Sequence, residues 1–203
     1  MTNIPPGLEN KGALNQYASG GDEKNWLSYM KIKQYTNAFI VKDDHVLLGY
    51  KKRGFGKGKY NGFGGKVEPE ETSLQAAGCK EESGVTAPLE HAGSLLFVSE
   101  GVECAFQIEI YRTDTYEGAI TESDEMRPEW FSAIAPTSSS AEVNLKGEGQ
   151  ASPSIPFSQM WESDPVWFPL LISKQKFVGR ADFTRDGEEF KLHRWWYATV
   201  SSS

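Results

Sequence analysis

Cysteine is scarce in this 203-residue chain, with Cys79 and Cys104 the whole supply. Two thiols cannot build a disulfide framework, and neither sits in a metal-ligand spacing, so both read as free thiols in a reducing compartment. Positive charge is in deficit too, the formal net charge being −7. An acidic protein gains little from counterion release, which excludes a nucleic-acid polymer held by its phosphates. No apolar run approaches the roughly 18 residues of a membrane span. The N-terminus, MTNIPPGLENKGALNQYASGGDEKN, lacks a basic stretch followed by an apolar core. The histidines, His45, His91 and His193, are scattered without evident partners and are assigned no catalytic work. No internal repeat is evident. The expectation is a soluble, intracellular, monomeric protein that acts on a small molecule.

What is present suffices for one core, since 38% of the residues are hydrophobic. Residues 1–24, rich in Gly, Pro, Asn and charge, read as a disordered tail. From QYTNAFIV onward the pattern changes to short β-branched and aromatic runs. HVLLGYKK after Asp43-Asp44 completes a hairpin, GSLLFVSE, AFQIEIYRTD and RPEWFSAI are further strands, and KFVGRADFTRDGEEFKLHRWWYATV turns at Asp186-Gly187. Helices are expected over EETSLQAAGCKEES and PVWFPLLISKQ. Residues 135–154 lose all periodicity and read as an inserted flexible loop. The expected fold class is α/β (α+β), a mixed sheet with a helix on each side, in one domain spanning 33–200.

The chemistry gathers around RGFGKGKYNGFGGK, which carries six glycines in fourteen residues and so can turn sharply and come close to a ligand. It feeds an acidic helix. Carboxylate oxygens beside a glycine-lined loop suit Mg²⁺, which keeps several waters and takes its other ligands from phosphate oxygens. An adjacent pair such as Glu81-Glu82 is by itself usually a solvated helix face. Trp167 and Phe168 read as core, and Asn61, between Tyr60 and Gly62, as a turn residue. The five positive charges at Lys51, Lys52, Arg53, Lys57 and Lys59 would offset a polyphosphate.

GFGGKVEPEETSLQAAGCKEESGV resembles the Nudix box, G-x5-E-x7-R-E-U-x-E-E-x-G-U with U a bulky aliphatic residue, with Gly65, Glu71, Glu81, Glu82, Gly84 and Val85 falling on it. Together with GYKKRGFGKGKYNGFGGKV, ESDEMRP and FSQMW followed by WFPLL, the chain is similar to the oxidised purine nucleoside triphosphate hydrolases, or 8-oxo-dGTP diphosphatases. That resemblance implies a Nudix α/β/α sandwich, Mg²⁺ or Mn²⁺ dependence, and cleavage of a damaged purine triphosphate such as 8-oxo-dGTP or 2-hydroxy-dATP to monophosphate and pyrophosphate. It further implies Glu81 and Glu82 as catalytic residues, and the Gly64 carbonyl, Glu81, Glu82 and Glu125 as metal ligands. Glu71 becomes the anchor of the catalytic helix. Thr36, Lys51, Phe55, Asn61, Phe97 and Trp161 become the base and sugar pocket. Of two neighbouring acidic positions at the purine edge, one is Asp164 and the other is Ser163.

The middle of the box departs from the pattern. Between Glu71 and the Glu81-Glu82 pair the family needs a step of twelve residues and this chain offers ten. Counted back from Glu81, the aliphatic falls on Cys79, the first helical glutamate on Gly78 and the arginine on Ala77, as though Arg-Glu were excised from AA-x-R-E-L-K-E-E-S-G. A helix turns about 100° per residue, so the loss rotates the pair by roughly 200° relative to Glu71 unless the preceding loop absorbs it. A weakened enzyme is expected. The second reading is a nucleotide-binding module that keeps the base pocket without turnover.

Overall fold

A computed structural model describes residues 4–23, 25–54, 56–77, 83–134, 152–187 and 189–201. The strands are β1 (Leu14–Gly21), β2 (Lys31–Lys42), β3 (His45–Lys51), β4 (Tyr60–Asn61), β5 (Glu90–Ser99), β6 (Cys104–Thr113), β7 (Met126–Ser132), β8 (Phe177–Asp186) and β9 (Glu189–Val200). They form one mixed sheet in the order β1-β9-β8-β5-β6-β2-β3-β4, with β7 also pairing β3. The β2–β6 and β5–β8 pairs are parallel and the rest antiparallel. Asp43 and Asp44 both take positive φ, 48° and 59°, the geometry of the tight turn that joins β2 to β3. Gly187, at φ 62°, turns β8 toward β9.

Strand alternation sorts the core onto two faces. Phe39, Val41, Leu95, Ile110, Phe177 and Tyr197 pack on one side against Trp167, Phe168, Leu170 and Leu171 of helix α2 (Asp164–Ile172). Ala38, Ile40 and Tyr111 point the other way, toward Ala77, at the end of helix α1 (Ser73–Ala76), and Val85. The helix-on-each-side arrangement is thus observed. Thr72 caps α1 in a reciprocal box with Gln75: its side chain accepts from the Gln75 amide, and the Gln75 side chain accepts from the Thr72 N–H.

The expected N-terminal tail is corrected by the structure. Residues 14–21 are strand β1 on the edge of the sheet, paired with β9, and Leu8 is fully buried against Leu96, Val98, Val178, Trp196 and Ala198. These side chains form a buried cluster of their own, to which the N-terminal segment also contributes Ile4, Leu14, Trp26, Leu27 and Tyr29. Of the loop expected at 135–154, residues 135–151 lie outside the described residues, and Ser154 bridges to Ser132. Of the expected box helix, Gly78 to Glu82 lie outside them as well. Among the described residues no helix is long and apolar enough to cross a membrane.

Candidate active site

The glycine-rich segment runs alongside β2 because its backbone is free to do so. Thr36 N–H donates to the Gly65 carbonyl at 2.8 Å, and Ala38 and Phe63 exchange both their backbone bonds. Gly64 takes φ 143°, and a Cβ there would stand 2.6 Å from the Thr36 carbonyl, so glycine is the residue this approach requires. The cavity that results has a volume of about 350 Å³. Six of the expected site residues, Thr36, Lys51, Asn61, Phe97, Trp161 and Asp164, line it together with Gly64.

Their bonding prepares them for a ligand. Asn61 Oδ1 accepts from Asn37 Nδ2 at 2.6 Å and from the Gly62 amide at 3.0 Å. With the oxygen so occupied, Nδ2 is the donor available to a bound molecule. Phe97 meets Phe183 edge-on at 5.4 Å, and Phe183 meets Trp161 at 6.3 Å. Asp164 is buried, accepting from the Trp161 amide at 2.9 Å and from Trp167 Nε1 at 3.1 Å. Burial pushes its carboxyl up to about 7, against the smaller lowering by these two donors and by Lys59. Below that pH the group is a neutral acid that can donate; above it, an anion that only accepts.

A carboxyl raised in the folded state stabilises the protein below its unfolded value of 3.8 and loses that contribution as pH rises through about 7. The difference in unfolding free energy between the native chain and Asp164→Asn is therefore expected to move against the native chain between about pH 4 and 7. Urea titrations at stepped pH measure it, and a pH-independent difference would show that Asp164 ionises normally.

Other expected residues stand apart from the cavity. Ser163 is fully buried; its hydroxyl faces that of Tyr197, and neither makes a well-formed hydrogen bond. It stands outside the cavity lining, whereas the next residue, Asp164, the first of α2, is part of it. Glu71 accepts from the Glu68 amide at 2.8 Å, closing the turn before α1. That is a local role, and the residue that counting places at its arginine partner is the buried Ala77. Glu125 pairs with Arg53 at 3.2 Å, and Lys52 with Glu122 at 2.7 Å, so part of the basic cluster is neutralised by the 122–125 loop. Phe55, Glu81 and Glu82 lie outside the described residues. Among the described residues no group of three or more His, Cys, Asp or Glu could hold a metal ion. The Gly64 carbonyl and Glu125 alone do not make a cation site; one here needs further carboxylates.

Several lining residues were missed by the sequence reading. Tyr35 and Phe106, ring centroids 5.5 Å apart, come from neighbouring strands β2 and β6. Phe183 and Phe190 come from the β8–β9 hairpin, and Trp167 lines the cavity while also belonging to the core. Alternation along ADFTRDGEEFK was the signal available for the two hairpin phenylalanines, but it does not say which face holds a cavity.

Curated relatives of the chain include two oxidized purine nucleoside triphosphate hydrolases. The oxidized purine nucleoside triphosphate hydrolase of Danio rerio is 44% identical over 154 residues, covering 74% of this chain and 86% of that protein. That of Mus musculus is 38% identical over 152 residues, covering 73% and 85%. Among solved structures, the MutT protein of Bacillus halodurans matches with a TM-score of 0.59 at 22% identity, over 81% of this chain and 97% of that one, a likeness of fold. No family model matches the chain.

Proposed function

The chain belongs to the oxidised purine nucleoside triphosphate hydrolases of the Nudix superfamily, and from that membership we propose that its cavity is the pocket for the damaged base. It is an enzyme, a nucleoside triphosphate diphosphatase that sanitises the nucleotide pool by hydrolysing oxidised purine nucleotides. The observation that carries the pocket reading is that Trp161, Asp164 and Asn61, from separate parts of the chain, line one cavity of about 350 Å³, a volume in the range of small-molecule sites.

In this reading Trp161 stacks on the base and Asn61 Nδ2 donates to its edge. Asp164 donates or accepts according to its ionisation. Thr36 and Lys51 sit around base and sugar, and Phe97 and Phe55 wall them. Ser163, a hydroxyl where the family has a second acid, leaves Asp164 as the one carboxyl at the purine edge, which narrows the donor and acceptor patterns on offer. The products are monophosphate and pyrophosphate. Localisation in the cytoplasm and a monomeric state complete the proposal.

Nudix hydrolases use divalent metal ions, and Mg²⁺ is the ion proposed here, with Mn²⁺ as a substitute. Glu81 and Glu82 would hold it with the Gly64 carbonyl and Glu125, and would be the catalytic carboxylates. When bound, the cation offsets phosphate charge and lowers the pKa of water. The described side chains do the rest by binding and orienting the base and keeping water off its apolar faces.

Trp161→Ala tests the pocket. Base stacking on an aromatic ring is worth about 1–3 kcal/mol, so affinity for 8-oxo-dGMP is expected to fall about 5- to 150-fold. Calorimetry with this product nucleotide reports on the pocket without requiring turnover. An unchanged affinity would move the base elsewhere.

A further inference from the structure

The glycine turn at 54–59 and the segment that enters α2 come from distant parts of the chain and meet at one side chain. Lys59 Nζ lies 5.1 Å from the Trp161 ring centroid and donates to the Met160 carbonyl at 3.2 Å. Its backbone is tied down on its own side, the N–H donating to the Gly56 carbonyl at 3.0 Å and the carbonyl accepting from the Lys51 N–H at 2.9 Å. Gly56, at φ 80°, brings the turn so close that a Cβ there would stand 3.6 Å from Trp161 Cζ2. On the far side, the Trp161 amide donates to Asp164 Oδ2 at 2.9 Å. Platform and acid therefore belong to one short segment, and Lys59 is the cation that joins it to the opposite wall.

We propose that Lys59 is a positioning residue for base recognition, its ammonium holding the Trp161 ring and the Asp164 carboxyl as one unit, so that stacking and the charge at the base edge change together. The inference rests on the reading of the cavity as a base pocket. An ammonium against the indole face restrains the ring at the site where it must stack. The same charge favours the anionic form of Asp164 and so works against the effect of its burial. Among the described residues the other groups facing that carboxyl carry no charge of their own: the Trp161 amide, Trp167 Nε1, and the Tyr197 hydroxyl from β9, which burial holds well above its ordinary range. Lys59 also faces Glu189, whose carboxylate is already held by Lys191 at 3.0 Å. A lysine in a glycine turn looks like solvated surface, and only the fold places it under Trp161.

Two substitutions separate charge from bulk. Lys59→Met keeps the stem and removes the ammonium, whereas Lys59→Arg keeps a cation able to lie on the indole face. In the ligand-free protein, carboxyl ¹³C NMR follows the titration midpoint of Asp164, which is expected to rise by about half a pH unit or more in Lys59→Met and to return toward the native value in Lys59→Arg. Calorimetry with 8-oxo-dGMP between pH 5.5 and 8.5 is expected to show affinity reduced about 5- to 30-fold in Lys59→Met, with the pH profile displaced upward by the same interval, and most of it recovered in Lys59→Arg. A general packing defect would lower affinity without displacing the profile, and that result overturns the proposal. So does an unmoved midpoint in the free protein. If the native chain itself fails to bind 8-oxo-dGMP at every pH, the pocket reading falls, and the role in base recognition falls with it. Native binding with Lys59→Met unchanged in affinity and midpoint removes Lys59 alone.

Discussion

Insertion of Arg-Glu between Gly78 and Cys79 raises the rate of pyrophosphate release from 8-oxo-dGTP in the presence of Mg²⁺ by about 10² to 10⁴-fold, the usual cost of a missing general base or electrostatic stabiliser. The insertion point follows from the spacing: Thr72 to Gly78 supply the seven residues that separate Glu71 from the arginine of the family pattern. It follows also from what the fold holds fixed. Thr72 and Gln75 cap the start of α1, and Ala77 is fully buried against the sheet. At the other end Val85 is fully buried in the same cluster, and the Thr86 N–H donates to the Glu117 carbonyl at 2.9 Å. Both ends of the box are thus tied to the core, and the two missing residues cannot be recovered by sliding either one. An Ala-Ala insertion at the same point separates register from chemistry. The expected order of rates is Arg-Glu, then Ala-Ala, then the native chain. Equal rates for the two insertions would assign the deficit to register alone, and no gain from either would remove the gap as its cause. Chelation of the metal should abolish release in all three.

Legibility differed between the strands, the site and the N-terminus for separate physical reasons. β2, β3 and the β8–β9 hairpin were readable because alternation and turn chemistry are local: Asp43-Asp44 and Gly187 carry their conformations in their own residue types. Asn61, Trp161 and Asp164 were not readable from local pattern, since a turn asparagine, a core tryptophan and a helix-start aspartate look alike in most folds. The family pattern singled them out, and the fold then brought them onto one cavity. Ser163 shows the limit of carrying roles by position, because one step along the start of α2 turns a side chain from the cavity to the core. The N-terminal residues were misread because LNQYASGG carries almost no apolar signal. As an edge strand β1 is held by backbone pairing to β9, and the side chains that fasten the segment lie more than 150 positions away in sequence, at Arg180 and Asp182.

Arg180→Met is expected to destabilise the protein by about 3–5 kcal/mol, the cost of leaving the other half of a buried ion pair without its partner. Both side chains are completely buried, with Arg180 Nε 2.8 Å and Nη2 3.0 Å from the two oxygens of Asp182. Geometry of this kind is bidentate and strong. The pair also spends its remaining capacity on the N-terminal segment: Arg180 donates to the carbonyls of Pro6, at 2.8 Å, and Leu27, at 2.5 Å, and Asp182 accepts from the Leu27 N–H at 2.6 Å. Trp26 and Tyr29 lie against the guanidinium at 4.9 and 5.9 Å. Removing it thus orphans a carboxylate and two backbone carbonyls beneath the N-terminal segment, so the segment should detach before the rest unfolds. Urea denaturation measures the total loss, and hydrogen exchange at residues 8–29 measures the local part, which should exceed that of β2 or β5. Pairing the change with Asp182→Leu removes the unbalanced charge and should recover part of the stability, while the bonds to Pro6 and Leu27 stay lost and the N-terminal exchange stays fast. A single-variant loss below about 1 kcal/mol with unaltered exchange would mean that β1 and Leu8, not the buried pair, hold the N-terminus to the sheet.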